Sequence, residues 1–292
     1  MQKLQSKFLV PALLFIVAIG AYFLMPSEPE VSSMGGSEPP TTMPEPIIVE
    51  AAPDEEFSTV QLYFATNRRL SADSEITASD PASQFSNARG TLRYGTASVS
   101  IPREHTMGNL ESQNWLVAKF FNPDPEKHVI LQEANIWDRE RMLSDLNDQL
   151  TNRDDKALLL FAHGYNTSFD KAARRTGQVV YDLAFHGPAM FFSWPSQART
   201  SAYTVDSQNA QWAVPDMEQV LLELTTRDAD RIIVIAHSMG TRILSRGLDA
   251  LIANNPAAAA KISTVVLAAP DIDAEIFKRQ LLPNFKKLTN PA

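Results

Sequence analysis

The stretch Arg231-Ile232-Ile233-Val234-Ile235-Ala236-His237-Ser238-Met239-Gly240 decides the fold. Behind one arginine, residues 232–236 are continuously apolar and mostly β-branched, as a strand covered on both faces requires. From Thr241 to Ala253 the apolar residues Ile243, Leu244, Leu248, Leu251 and Ile252 recur at helical spacing. The pentapeptide Ala236-His237-Ser238-Met239-Gly240 therefore joins a buried strand to a helix. That is the setting of a G-x-S-x-G nucleophile elbow, with Ala236 standing for the first glycine. The serine occupies a strained turn, and a large side chain two residues to either side would meet neighbouring backbone. The turn aims the Ser238 hydroxyl at the carboxyl edge of a sheet, where α/β proteins place ligands. It also turns the first amides of the next helix toward a developing oxyanion. The competing reading is an ordinary strand-to-helix turn with a serine cap.

Outward from this centre, apolar runs and helical patterns alternate. Lys156–Ala162 (KALLLFA), Ala189–Trp194 (AMFFSW) and Ser263–Ala269 (STVVLAA) read as strands. Asp138–Leu150, Phe169–Phe185, Tyr203–Thr226 (broken at Pro215) and Ala274–Leu282 read as helices. Such alternation predicts βαβ units, a mostly parallel sheet and helices on both faces. Upstream, Val60–Thr66, Leu92–Ile101, Trp115–Phe121 and Val129–Ile136 alternate as half-buried strands do, which predicts an antiparallel start to the sheet. Residues 71–90, rich in Ser, Asp and Ala, read as a surface loop.

Two more strand ends carry candidate chemistry. His163-Gly164-Tyr165-Asn166 follows the strand KALLLFA. An oxyanion hole takes one amide after the nucleophile and one from the loop after the third strand, so Met239 and Tyr165 are the expected donors. His163, Gly164 and Gly240 are expected to shape that hole. Pro270-Asp271-Ile272-Asp273 follows the strand STVVLAA. Either Asp271 or Asp273 could orient a catalytic histidine, and a helix N-cap is an equal alternative. No metal or cofactor is expected: there is no H-E-x-x-H, no G-x-x-x-x-G-K-[ST] and no strand-linked G-x-G-x-x-G.

Taken in order, FATNR (64–68), HGYN (163–166), FFSWPS (191–196), Tyr203 with Asp206, AHSMG (236–240) and LAAPDID (267–273) resemble a bacterial family of α/β-hydrolase-fold proteins catalogued as a domain of unknown function. The likeness spans roughly residues 60–285. It implies an α/β-hydrolase fold with Ser238 as nucleophile, and it implies no particular substrate. One departure stands out. In such hydrolases the chain order is nucleophile, acid, histidine. The histidines here are 105, 128, 163, 186 and 237, and none follows Ser238. The expectation is a C-terminally shortened member that is nearly inactive and leaves the strand at 263–269 on the sheet edge.

The N-terminal part differs in kind. Residues 8–25 run 18 positions without a charge, near the lower limit for a membrane-spanning helix. Lys3 and Lys7 precede that run and acids follow it, so the positive-inside rule keeps residues 1–7 in the cytoplasm and sends the rest across a bacterial inner membrane. Seven prolines fall within residues 26–53, and residues 26–56 read as a disordered tether. Residues 57–292 are the expected hydrolase domain, lacking its C-terminal strands. The whole chain of 292 residues carries a net charge of −8, six of which lie in residues 1–56. Without a basic cluster, nucleic acid is an unsuitable partner. Cysteine is absent, which removes disulfides, thiolate metal sites and a cysteine nucleophile. The expected activity is a membrane-tethered serine hydrolase of small or lipid-like acyl substrates, and the alternative is a non-catalytic binding or scaffold protein on the same fold. The oligomeric state is not legible.

Overall fold

The computed structural model describes residues 47–51, 56–77, 79–112 and 124–289. Eight strands are found there: β1 Ile48–Val49, β2 Phe57–Leu70, β3 Phe85–Pro102, β4 Ile130–Trp137, β5 Ala157–Ala162, β6 Ala189–Ser193, β7 Arg231–His237 and β8 Ile262–Ala268. They form one sheet in the order β4-β3-β2-β6-β5-β7-β8, with β1 paired beside β2. The pairs β2·β6, β6·β5, β5·β7 and β7·β8 are parallel, whereas β1, β3 and β4 pair antiparallel. This is the mostly parallel sheet with an antiparallel beginning that the sequence patterns predict.

Helices cover both faces. Helix α1 (Arg139–Thr151), α4 (Val214–Thr225) and α5 (Gly240–Asn254) bury Leu146, Leu221 and Leu248 against Leu158, Leu160, Val234 and Ala236. Helix α2 (Phe169–Asp182) packs Phe169, Ala172 and Ala173 on the opposite face, against Phe64, Val99, Phe161 and Phe191. Helix α3 (Tyr203–Trp212) ends just before Pro215, which falls in the first turn of α4, where no amide donor is needed. Strand β5 is buried at every position because it is central and covered twice. Strand β7 buries only alternate residues Ile232, Val234 and Ala236. Beyond it, β8 forms the sheet edge, and only Ile262 in it is buried.

Three sequence expectations need correction. The tether does not extend to residue 56: Ile48 and Val49 pair with Val60 and Thr59, and Ile47 and Ile48 are buried. A three-residue apolar cluster between Pro46 and Pro53 was too short to show a strand period. The surface loop ends at Gln84, because β3 already begins at Phe85, whose ring stacks on Phe169 at a centroid distance of 4.1 Å. The last helical stretch is also longer, with a π-turn over Phe277–Leu281 leading into a helix at Leu282–Thr289. The membrane span at 8–25, the tether up to residue 46 and the strand at Trp115–Phe121 lie outside the described residues. Among the described residues no helix is long and apolar enough to cross a membrane.

At the end of the sheet opposite Ser238, His105 ties the segment after β3 to the last turn of α2. Its ring nitrogens lie 2.8 Å from Glu111 and 2.7 Å from Asp182. Burial opposes charging this imidazole, but the two carboxylate hydrogen bonds outweigh it and raise its pKa. A raised folded-state value contributes stability that is complete below the unfolded value of about 6.5 and is lost as pH rises through the folded value. The unfolding midpoint should therefore fall as pH rises from 6.5 into the alkaline range, and His105→Gln should flatten that slope. An equal slope in the variant, measured by circular dichroism, would remove His105 from the account.

Candidate functional site

The carboxyl ends of the parallel strands are level, since Ala162 pairs with both Phe192 and Ala236, and His237 pairs with Ala268. From β5 the chain moves to β6 on one side, and it then returns past β5 to β7 on the other. The helices that follow β5 and β7 consequently lie on opposite faces. A crevice opens between those two strand ends, at the topological switch point. His163–Asn166 and Ser238 meet there.

Ser238 has φ 50°, a left-handed conformation that costs a non-glycine residue about 1–3 kcal/mol. The strain is held by backbone bonds on both sides. The Ser238 amide donates to Ala268 O at 2.9 Å, and Ser238 O accepts from Thr241 N at 3.0 Å and from Thr241 Oγ1 at 2.6 Å. The residue is half-buried, and among the described residues its hydroxyl has no hydrogen-bond partner. Small neighbours are required as the motif implies. A Cβ at Gly240 would lie 2.4 Å from His163 O and 2.7 Å from Ala162 O. A Cβ at Gly164 would lie 2.9 Å from Ser238 Cβ and 2.9 Å from His237 Nδ1. Gly164 thus brings the second loop into contact with the elbow.

Met239, buried, leads into α5, and Tyr165 follows Gly164 directly, so both expected amides border Ser238. Neither N–H has a partner among the described residues. Asn166, at φ 57°, closes the loop, a conformation asparagine tolerates better than most residues. Its amide donates to Asp206 Oδ2, which also accepts from Ser196 Oγ at 2.6 Å, while Asp206 Oδ1 accepts from Gln197 N at 2.7 Å. Asp206 therefore joins the loops after β5 and β6.

His163 serves the loop and not the hydroxyl. It is 2% exposed and stacked on Trp194 with an interplanar angle of 10°. Its Nδ1 donates to Gly164 O at 2.9 Å, and Trp194 Nε1 donates to His163 O at 2.8 Å. Burial, aided by the charge of Arg68, pulls its pKa down to about 3, so the ring is neutral. His237 makes no hydrogen bond to Ser238 among the described residues, and it is also held below its usual value, by burial and by Arg175. None of the five histidines hydrogen-bonds Ser238 Oγ among the described residues.

The two aspartates separate clearly. Asp273 Oδ1 accepts from Glu275 N at 3.0 Å and Ile276 N at 2.9 Å, a helix N-cap. Asp271 accepts from Tyr203 OH at 2.9 Å and from Arg242 Nη2 at 2.9 Å. Its amide reaches Ser238 O at 3.3 Å, so the residue is near the elbow, yet among the described residues no histidine hydrogen-bonds its carboxylate. Arg242 was not singled out in the sequence, although its position four residues after Ser238 places it in the first turn of α5, beside the elbow. Arg68, from FATNR, was seen only as part of a motif. It is fully buried and donates to Ser193 Oγ, Asn87 Oδ1, Ser196 O and Thr167 O at 2.7–3.1 Å. Tyr165 and Tyr203 meet edge to face with ring centroids 5.3 Å apart, whereas Trp194 is wholly interior.

A cavity of about 210 Å³ opens beside the elbow, with Gly164, Tyr165 and His237 in its wall. A larger one of about 400 Å³ lies behind Asp271, between Gln211, Arg246 and Ile276, and does not reach Ser238. No curated protein and no solved structure matches the chain. The antiparallel start to the sheet lies outside the family match, which begins at the cap of α1. Over residues 138–290, more than half of its length, the chain matches the family described as alpha/beta hydrolase of unknown function (DUF900), and it belongs to that family.

Proposed function

We propose that this protein is a serine hydrolase of carboxylic esters or similar acyl bonds, reacting through an acyl-enzyme on Ser238. We propose further that residues 8–25 anchor it in a bacterial inner membrane with the hydrolase domain on the periplasmic side. The observation that carries the first reading is the strained φ of 50° at Ser238, between a buried strand and a helix at the sheet's carboxyl edge. Strain of this kind persists where a side chain has to be aimed. In the reaction, Ser238 Oγ attacks the carbonyl carbon and its proton passes to a base. The amides of Met239 and Tyr165 hold the resulting oxyanion. Collapse expels the alcohol, which takes up a proton, and water then cleaves the acyl-serine.

The described residues offer donors for the oxyanion but no base in contact with the hydroxyl. An unassisted hydroxyl is a weak nucleophile. A triad serine lacking its histidine loses about 10⁶ in kcat, while roughly 10³-fold over water survives from the oxyanion hole and binding. Without such a base the reaction at Ser238 is expected to be slow. The same unpartnered hydroxyl favours the second reading, a binding or scaffold protein on a hydrolase fold. Free imidazole separates them by supplying the missing base. With imidazole present, a fluorophosphonate probe should add once to the protein and not to Ser238→Ala, as read by intact mass. Equal labelling of both, or of neither, would favour the binding protein.

A further inference from the structure

The cavity beside Ser238 has an electrostatic character that the acidic chain as a whole does not share. Its wall carries Lys171, Arg174 and Arg175 from the first half of α2, together with His237, and among the described residues no acidic one. Arg174 is already neutralised, since its guanidinium lies 2.8 Å from Asp170. Lys171 and Arg175 are not. Lys171 is exposed and has no acidic partner among the described residues. Arg175 is half-buried, and among the described residues the one side chain its guanidinium hydrogen-bonds is the neutral amide of Gln178. The nearest carboxylates, Asp182 and Glu111, are both bound to His105. Burial lowers the pKa of Arg175, against the more distant charges of Asp182 and Glu111 and with the help of Arg174. A partly desolvated guanidinium with no carboxylate in direct contact is costly to maintain unless something anionic completes it. His163 borders the same cavity, and its buried, unpartnered Nε2, an acceptor while Nδ1 donates to Gly164 O, suits a hydroxyl or other donor of a ligand and not its anionic oxygens.

We infer that this cavity is an oxyanion-binding subsite, and that the acyl substrate of Ser238 carries a carboxylate or phosphate group that seats on Arg175 and Lys171. The substrate half of this inference rests on the hydrolase reading; the subsite does not. The wall of the cavity is continuous with the elbow through Gly164, whose backbone lies against Ser238 Cβ. A carbonyl at Ser238 and a charge on Arg175 can then belong to one small molecule. The volume of about 210 Å³ is below the ~300–1,000 Å³ of sites that enclose a drug-sized ligand, so it suits a compact acidic group and not a long acyl chain. Arg175 presents the planar fork that pairs with carboxylate and phosphate oxygens, and Lys171 adds a mobile point charge at the rim.

The test is calorimetric titration of the full chain with succinate and, separately, with inorganic phosphate. One-to-one binding of either is expected, with Arg175→Gln weakening it at least tenfold, the loss of roughly one charge-assisted bond. The stronger of the two anions identifies the group. Should Arg175→Gln fail to fold by circular dichroism, Lys171→Gln, at an exposed position, carries the test and is expected to weaken binding severalfold. Absence of binding to the folded wild type would overturn the inference, as would undiminished binding by both variants. If anions bind but Ser238 never takes the fluorophosphonate, the hydrolase reading falls and the subsite stands. If Ser238 is labelled and succinate at saturation leaves the rate unchanged, the subsite falls and the hydrolase reading stands.

Discussion

Arg68→Leu is expected to destabilise the protein by about 3–5 kcal/mol, enough to lower the unfolding midpoint by roughly 10 °C or more. The guanidinium is fully buried and its bonds end on four different segments: Ser193 at the end of β6, Ser196 in the following loop, Thr167 after the His163–Asn166 loop and Asn87 on β3. Leucine satisfies none of these acceptors, and each buried acceptor left open costs about 1–3 kcal/mol. Burial pulls the Arg68 pKa down to about 9, against the pull of Asp206, so the group is still charged at neutral pH and depends on those bonds. Arg69→Leu, one position on and exposed, is the control and should change the midpoint by no more than a degree or two. Comparable midpoints for the two variants, by circular dichroism, would contradict the role assigned to Arg68.

Gly240→Val is expected to have an effect of similar size and to disable the site at the same time. A Cβ there meets His163 O at 2.4 Å and Ala162 O at 2.7 Å, both backbone atoms at the end of a central strand. Backbone cannot swing aside as a flexible side chain can, so α5 or the His163–Asn166 loop must move. Overpacking of this kind costs about 1–3 kcal/mol, and more where neither side yields. The shift separates the Tyr165 amide from the elbow, so probe labelling of Ser238 in imidazole should fall at least tenfold even where the variant folds. Gly108→Ala is the comparison: its Cβ would meet nothing within 4 Å, and only its φ of 81° opposes the change. A Gly240→Val protein with wild-type stability and labelling would show that the elbow is not packed as described.

The parallel half of the sheet was legible because its strands are buried twice and so read as unbroken apolar runs such as Leu158-Leu159-Leu160-Phe161. The elbow was legible for a related reason, since close packing restricts residues 236 and 240 to small side chains. What escaped were contacts made across the chain. Nothing local marks Arg68 as interior, because the pair Arg68-Arg69 near the end of an alternating strand reads as solvated. The same holds for Arg242 on Asp271 and for Asp206 between two loops, each a bond between residues about 10 to 40 positions apart. Lys171, Arg174 and Arg175 were visible as charges on a helix, but only the fold shows that they share a cavity wall with Gly164, Tyr165 and His237. The candidate acids show the limit from the other side. The spacing Asp271-Ile272-Asp273 left two options, and the local turn assigns one of them, Asp273, to capping.

The central claim is that Ser238 Oγ is the reactive group of this protein. The most direct measurement incubates the full chain with a fluorophosphonate probe and free imidazole, digests it with trypsin and maps the adduct by mass spectrometry. In that reaction the Ser238 Oγ–P bond forms, the P–F bond breaks, and the serine proton passes to imidazole as fluoride departs. The account predicts a single adduct on the peptide spanning residues 232–242, located at Ser238, formed faster as imidazole rises. An adduct on another residue, or an unmodified Ser238 at saturating imidazole in the folded protein, would contradict it.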